Sequence, residues 1–160
     1  MKQLLITSAA VVLVGCGDSQ PPGPPKARTP SISIHEDVGR GNIEAVKQHI
    51  AEGADVNAKD DLGYTPLYFT IDLGQKEMAE LLITKGADVN AVDNGIDTPL
   101  HKAAAFSKHE IIELLIANGA NVNAKDGLDR TPFDFTKAPN KIEKSEHGGK
   151  TAEELKAEGK

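Results

Sequence analysis

Aromatic residues make up only 4% of the 160-residue sequence, and none of them is tryptophan. So thin a supply argues against a stacking platform for single-stranded nucleic acid. Positive charge is also in the minority: 18 Lys and Arg stand against 24 Asp and Glu, for a formal net charge of −6. A chain with that balance has no electrostatic means of holding a phosphate backbone, which excludes nucleic acid as a partner. A single cysteine leaves no intrachain disulfide and no Cys-rich zinc cluster. What is present is 39% hydrophobic and 26% charged residues, a soluble globular composition of one-domain length.

The first 16 residues, MKQLLITSAAVVLVGC, read as an export signal. Lys2 supplies a positive start, and Leu4 to Val14 form an apolar stretch short of the roughly 20 residues that a membrane-spanning helix needs. The ending Leu13-Val14-Gly15-Cys16 resembles the lipobox of bacterial lipoproteins. The resemblance implies cleavage before Cys16, so that residues 1–15 are a signal peptide, and lipidation of the Cys16 thiol. It places the protein in the cell envelope, anchored to a membrane through that lipid. In a host with two membranes, Gly17 after the cysteine, in place of the usual retention Asp, points to the outer membrane or the periplasm. Residues 16–31 continue as a stalk. Pro21, Pro22, Pro24, Pro25 and Pro30 deny it a helix or a ladder and favour extended polyproline II.

From residue 32 onward a period takes over. Thr-Pro stands at Thr65-Pro66, Thr98-Pro99 and Thr131-Pro132, at intervals of 33. Gly-Ala-Asp-Val-Asn stands at Gly53–Asn57 and Gly86–Asn90, with Gly-Ala-Asn-Val-Asn at Gly119–Asn123, again at intervals of 33. Two motifs sharing one period mean a solenoid. In the third unit Thr98 is a helix N-cap and Pro99 fits the first helical position. Leu100, Ala103 and Ala104 line a short helix, small enough for close packing. After a break near Ser107, His109–Asn118 carries an apolar face of Ile111, Ile112, Leu114, Leu115 and Ile116, and Gly119 closes it.

These units resemble the ankyrin repeat. TPLHKAAAFSKHEIIELLIANGANVNAKD follows that family's pattern nearly end to end, and TPLYFTIDLGQKEMAELLITKGADVNAVD follows it with Tyr68 in the His place. The resemblance implies an all-α solenoid of helix-turn-helix units with projecting loops, over residues 32–160. Repeats run at about 32–60, 61–93, 94–126 and 127–160: two full repeats between an N-terminal and a shortened C-terminal cap. The first unit lacks Thr-Pro, and its Asp37, at the place of Ala103, is expected on a face with no preceding repeat. The fourth is shortened: Thr65 to Gly86 spans 21 residues and Thr131 to Gly148 spans 17. Its second helix is expected to be polar, and Thr151 with Glu154 predicts a capping box that starts a last helix.

No catalytic constellation assembles, and no cofactor or metal site is expected. His101 is the histidine of the Thr-Pro-Leu-His motif, which the resemblance assigns to hydrogen bonds within and between repeats. His109-Glu110 and His35-Glu36 lack the second His of a zinc-protease helix. His49 and His147 fit helix ends. The loops Asp55–Asp61 and Asp88–Asn94 lack EF-hand spacing and read as turns.

What is left is a binding surface for a protein partner of unknown identity, on a monomeric, non-enzymatic chain. The resemblance places it on the concave face of loop tips and first helices. The tip positions are Asp61, Leu62 and Tyr64, then Asn94, Gly95 and Asp97, then Gly127, Leu128 and Arg130. The first-helix positions are Phe69, Asp72 and Leu73, then Lys102, Ala105 and Phe106. Apolar members rimmed by Asp61, Asp72 and Asp97 suit a hot-spot patch; packing between adjacent repeats is the other reading for Leu62, Tyr64, Leu73 and Phe106. Tyr64 is expected to affect folding by less than about 1 kcal/mol and binding by about 2 kcal/mol or more. The usual tip glycine is displaced in the later units, with Ile96 and Asp129 opposite Gly63, so the tips are expected to differ in conformation. An immunity or inhibitor protein that neutralises a secreted toxin or enzyme is the alternative, since acidic charge suits a basic target.

Overall fold

The structure, a computed structural model, describes residues 33–136 and 149–159. The predicted export signal, Cys16, the predicted stalk, His147 and the second helix expected in the fourth unit lie outside the described residues. Within them the chain forms three helical hairpins: α1 (Ile34–Gly39) with α2 (Ile43–Ala51), α3 (Pro66–Leu73) with α4 (Lys76–Thr84), and α5 (Pro99–Ala105) with α6 (His109–Ala117). A 3-10 turn (Pro132–Phe135) opens the fourth unit, and α7 (Ala152–Ala157) closes the described chain. The inner helices stack in sequence order, α1 on α3, α3 on α5 and α5 on the 3-10 turn, while α4 packs on α6. This is the all-α repeat stack that the period of 33 predicts.

One apolar cluster runs through the hairpins, with Val38 and Val46 from the first, Leu67, Ile71, Met78 and Leu82 from the second, and Leu100, Ile111, Ile112 and Leu115 from the third. No hairpin encloses its own apolar side, so each depends on its neighbours for burial. The Asn that ends each Gly-Ala-x-Val-Asn motif fastens one unit to the next. Asn57 donates to the Gly86 carbonyl at 3.0 Å and accepts from the Asp88 amide at 2.8 Å. Asn90 repeats both bonds on Gly119 and Asn121, at 3.1 and 2.8 Å. Asn123 accepts from the Lys150 amide at 3.0 Å. Lys150 follows Gly148 by two residues, as Asp88 follows Gly86, so the shortened fourth unit re-enters the register its sequence predicts. Gly149 then lies against Phe133 so closely that a β-carbon there would overlap the ring. Thr151 and Glu154 form the predicted capping box, and α7 buries Leu155.

At the tips the structure corrects the sequence reading. Ile96 and Asp129 adopt φ of 66° and 62°, close to the 80° of Gly63. All three tips therefore share one left-handed turn. An aspartate imposes it: Asp60 Oδ1 accepts from the amides of Leu62 and Tyr64, Asp93 Oδ1 from Gly95 and Asp97, and Asp126 Oδ1 from Leu128 and Arg130, all at 2.8–3.0 Å. Adjacent tips are stitched together as well, the Asn94 amide to the Leu62 carbonyl and the Gly127 amide to the Gly95 carbonyl. Asx chemistry thus accounts for the acidic loops. A β-branched residue in the left-handed region is strained. Ile96→Gly is expected to stabilise the fold by about 1 kcal/mol, measured as a raised urea midpoint.

The first repeat brings a second correction. Asp37 is buried, not set on a free face, and His49, in the last turn of α2 as the sequence predicts, is buried beside it. His49 Nε2 lies 2.8 Å from Asp37 Oδ2. By the 33-residue register, His49 occupies the place of Leu82 and Leu115, and Asp37 that of Thr70 and Ala103. A polar pair replaces an apolar contact in this hairpin, and its two members satisfy each other.

Candidate functional site

The helix starts determine how the inner face is held. In α5, Thr98 Oγ1 caps the amide of His101, and His101 Nδ1 in turn accepts from the Thr98 amide at 3.1 Å. His101 Nε2 donates to the Arg130 carbonyl of the next tip at 3.1 Å. Both ring nitrogens are therefore occupied, one within the repeat and one between repeats. His35 fills the equivalent place in the first unit and reaches the Ala58 and Tyr64 carbonyls at 2.9 and 3.2 Å. Tyr68 fills it in the second, its hydroxyl donating to the carbonyls of Ala91 and Asp97. Burial, reinforced by the charge of Asp93, pushes this hydroxyl well above the ordinary tyrosine range and keeps it a donor. A phenol cannot return the cap, however, and Thr65 Oγ1 is left buried without a partner.

The predicted contact residues divide into two groups. Leu62, Leu73, Phe106 and Leu128 stand free at the surface, 60, 53, 54 and 71% exposed, so they do not pack between repeats. The others also serve the fold. Tyr64 is half-buried, stacked on Tyr68 with ring centroids 5.1 Å apart and edge-on to Phe69 at 6.4 Å. Phe69 in turn meets His35 at 5.6 Å. Lys102 places its ammonium 3.9 Å from the Tyr64 ring centre and 3.3 Å from Asp72 Oδ2. Truncating Tyr64 is therefore expected to cost more than the 1 kcal/mol of an isolated tip residue, since stacked and cationic contacts add about 0.5–1.5 kcal/mol each. The Asn94 side chain donates to the Asp61 carbonyl at 3.0 Å, which makes it a stitch between tips. Asp61 keeps an exposed carboxylate.

Arg130 is anchored by Asp126, Nε to Oδ2 at 2.7 Å, with its guanidinium 4.4 Å from the Phe135 ring centre. Burial alone would raise the Asp126 carboxyl. The amides of Arg130 and Leu128, together with the guanidinium, outweigh that and hold it below the ordinary range. Asp97 goes the other way: burial first, then the charge of Asp93, push it up.

Two features escaped the sequence reading. Ile96, 52% exposed, supplies the middle of an apolar row that runs Leu62, Ile96, Leu128, one residue per tip. Its signal was a β-branched residue at the position where the preceding unit has glycine. The second is a cavity of about 190 Å³ beneath the tips, lined by Tyr64, Asp93, Asp97, Lys102, Phe106 and Phe135 among others. Its walls come from three units, a grouping that the register alone does not display.

The exposed apolar row and its acidic neighbours are suited to contact. The chain is 39% identical over 50 residues to Protein phosphatase 1 regulatory subunit 27 of Homo sapiens, a match covering 31% of this chain and 32% of that protein. It is 40% identical over 49 residues to Acyl-CoA-binding domain-containing protein 4 of Oryza sativa subsp. japonica, covering 31% and 15%. It is 36% identical over 51 residues to Ankyrin repeat domain-containing protein oryK of Aspergillus oryzae, covering 32% and 8%. The matched region spans a third or less of each of these relatives. The family model described as ankyrin repeats, three copies, matches residues 34–126, more than half of the sequence. The chain therefore belongs to the ankyrin-repeat family, whose repeats are modules of protein–protein interaction.

Proposed function

We propose that this protein is a non-enzymatic adaptor, held at the bacterial cell envelope by a lipid on Cys16, that captures a protein partner on its face of tips and inner helices. The observation that carries the binding half is the row Leu62, Ile96 and Leu128, three large apolar side chains in open solvent on rigid, mutually bonded turns. Folding gains nothing from exposing them, and at Ile96 it bears backbone strain as well. Strain of that kind collects at functional positions. Leu73 and Phe106 extend the apolar area onto the inner helices, and Asp61 and Asp72 give it an acidic rim. That rim favours a partner with basic residues, as the net charge of −6 also does. The tether rests on the Leu-Val-Gly-Cys ending and the proline-rich stretch after it.

One experiment tests both halves. The chain is expressed in a bacterial host with labelled fatty acid and recovered with its bound proteins from detergent extract. Cys16→Ser is expected to lose the label and the membrane fraction. Leu62→Asp with Leu128→Asp is expected to keep both and lose the partner, with a binding loss of at least about 2 kcal/mol, as for hot-spot residues. Equal label in wild type and Cys16→Ser removes the tether. An unchanged partner yield in the double variant removes the tip face.

A further inference from the structure

The cavity under the tips holds an imbalance of charge. Of its lining groups, Lys102 is already engaged by the Asp72 carboxylate and the Tyr64 ring. The neighbouring Arg130 is held by Asp126, and both nitrogens of His101 are bonded. Asp93 and Asp97 remain, two carboxylates against the single lysine of the lining, with His101 and Arg130 acting on Asp97 from beside it. Asp93 has one oxygen committed to the tip turn, and Asp97 Oδ1 is buried with no hydrogen-bond partner. The remaining walls include the rings of Tyr64, Phe106 and Phe135, surfaces against which an alkyl stem or a guanidinium packs well. The space of about 190 Å³ is several waters' worth at about 30 Å³ each, and it lies in the binding face.

We infer that this cavity receives one lysine or arginine side chain of the protein partner, its stem against the aromatic walls and its cationic head at Asp93 and Asp97. The inference rests on the reading of this face as the protein-binding one. The energetics of Asp97 agree with it. Burial, Asp93 and Asp126 oppose its ionisation, while His101 and Arg130 favour it, and the net effect is a raised carboxyl. The folded state therefore holds that proton to higher pH than the unfolded chain does. Stability falls as pH rises out of the ordinary carboxylate range through the raised value. Above the ordinary carboxylate range Asp97 therefore weakens the fold, which a binding role explains and a structural role does not.

The test uses the full chain and three probes: N-acetyl-arginine methylamide, N-acetyl-lysine methylamide and the neutral N-acetyl-norleucine methylamide. Binding is followed by the amide resonances of Asp97, Ala105 and Phe106. The cationic probes are expected to bind with Kd on the order of millimolar, and norleucine about tenfold more weakly. Asp97→Asn is expected to weaken the cationic probes about tenfold, which corresponds to about 1.4 kcal/mol. It is also expected to raise the urea midpoint at pH 7, by a margin that shrinks towards pH 3. A merely structural Asp97 would not tie probe affinity to charge. Equal binding of all three probes, no binding of any, or cationic binding untouched by Asp97→Asn overturns the inference. Failure of the probes while Leu62→Asp with Leu128→Asp still abolishes capture removes the cavity's role alone. Probe binding by a chain whose capture ignores the tips removes the protein-binding reading instead.

Discussion

His49→Leu is expected to destabilise the domain by about 3–5 kcal/mol, although it restores the residue type found at the same place in the next two repeats. By the 33-residue register Leu82 and Leu115 stand opposite Thr70 and Ala103, whereas a leucine at position 49 would stand opposite Asp37, which is 4% exposed and has His49 at 2.8 Å. Removing the imidazole leaves a buried carboxyl without its donor, and this costs far more than the hydrogen bond contributed. The double change Asp37→Ala with His49→Leu recreates the apolar pairing of the third repeat. It is expected to recover most of the loss, since replacing both partners of a buried polar pair is often neutral or stabilising. Urea unfolding of wild type, both single variants and the double variant gives the coupling directly. Additive losses would show that Asp37 and His49 do not depend on each other.

Leu115→Ala is the second large effect. Leu115 is fully buried in α6, within the cluster that links the second and third hairpins. Truncating a buried leucine costs about 2–5 kcal/mol through lost transfer energy and the cavity left behind. A stack this short is expected to sit near the low end of the roughly 5–15 kcal/mol of typical domains. The loss is therefore expected to unfold the domain as a whole, seen as a lower urea midpoint with an unchanged slope. An unchanged midpoint would contradict the packing of α6.

The repeats were legible because their determinants are local and periodic. Thr-Pro starts helices, Gly-Ala-Asp-Val-Asn ends hairpins, and both recur every 33 residues. The role of His101 followed from the same motif. The tips are not legible from their glycines, because glycine is not the cause of the turn. The cause is the aspartate at 60, 93 and 126, whose side chain holds two amides and imposes a left-handed residue even where it is Ile96. The burial of Asp37 and of the helix-end His49 is illegible because each looks polar alone. Only their meeting across a hairpin, 12 residues apart, shows why both can be buried. The cavity was illegible for a related reason: Tyr64, Asp97 and Phe135 come from successive units and converge only once the stack is formed.

If the face of tips and inner helices takes the partner, binding shields its amides. Amide hydrogen exchange on the partner-bound full chain, compared with the free chain, tests it most directly. Protection is predicted at 61–64, 94–97 and 127–130 and at the exposed ends of α3 and α5 near Leu73 and Phe106. Exchange in the outer helices α2, α4 and α6 is predicted to change only as the whole domain does. Protection centred on α4 and α6, with the tips exchanging as in the free chain, would put the partner on the outer helices instead.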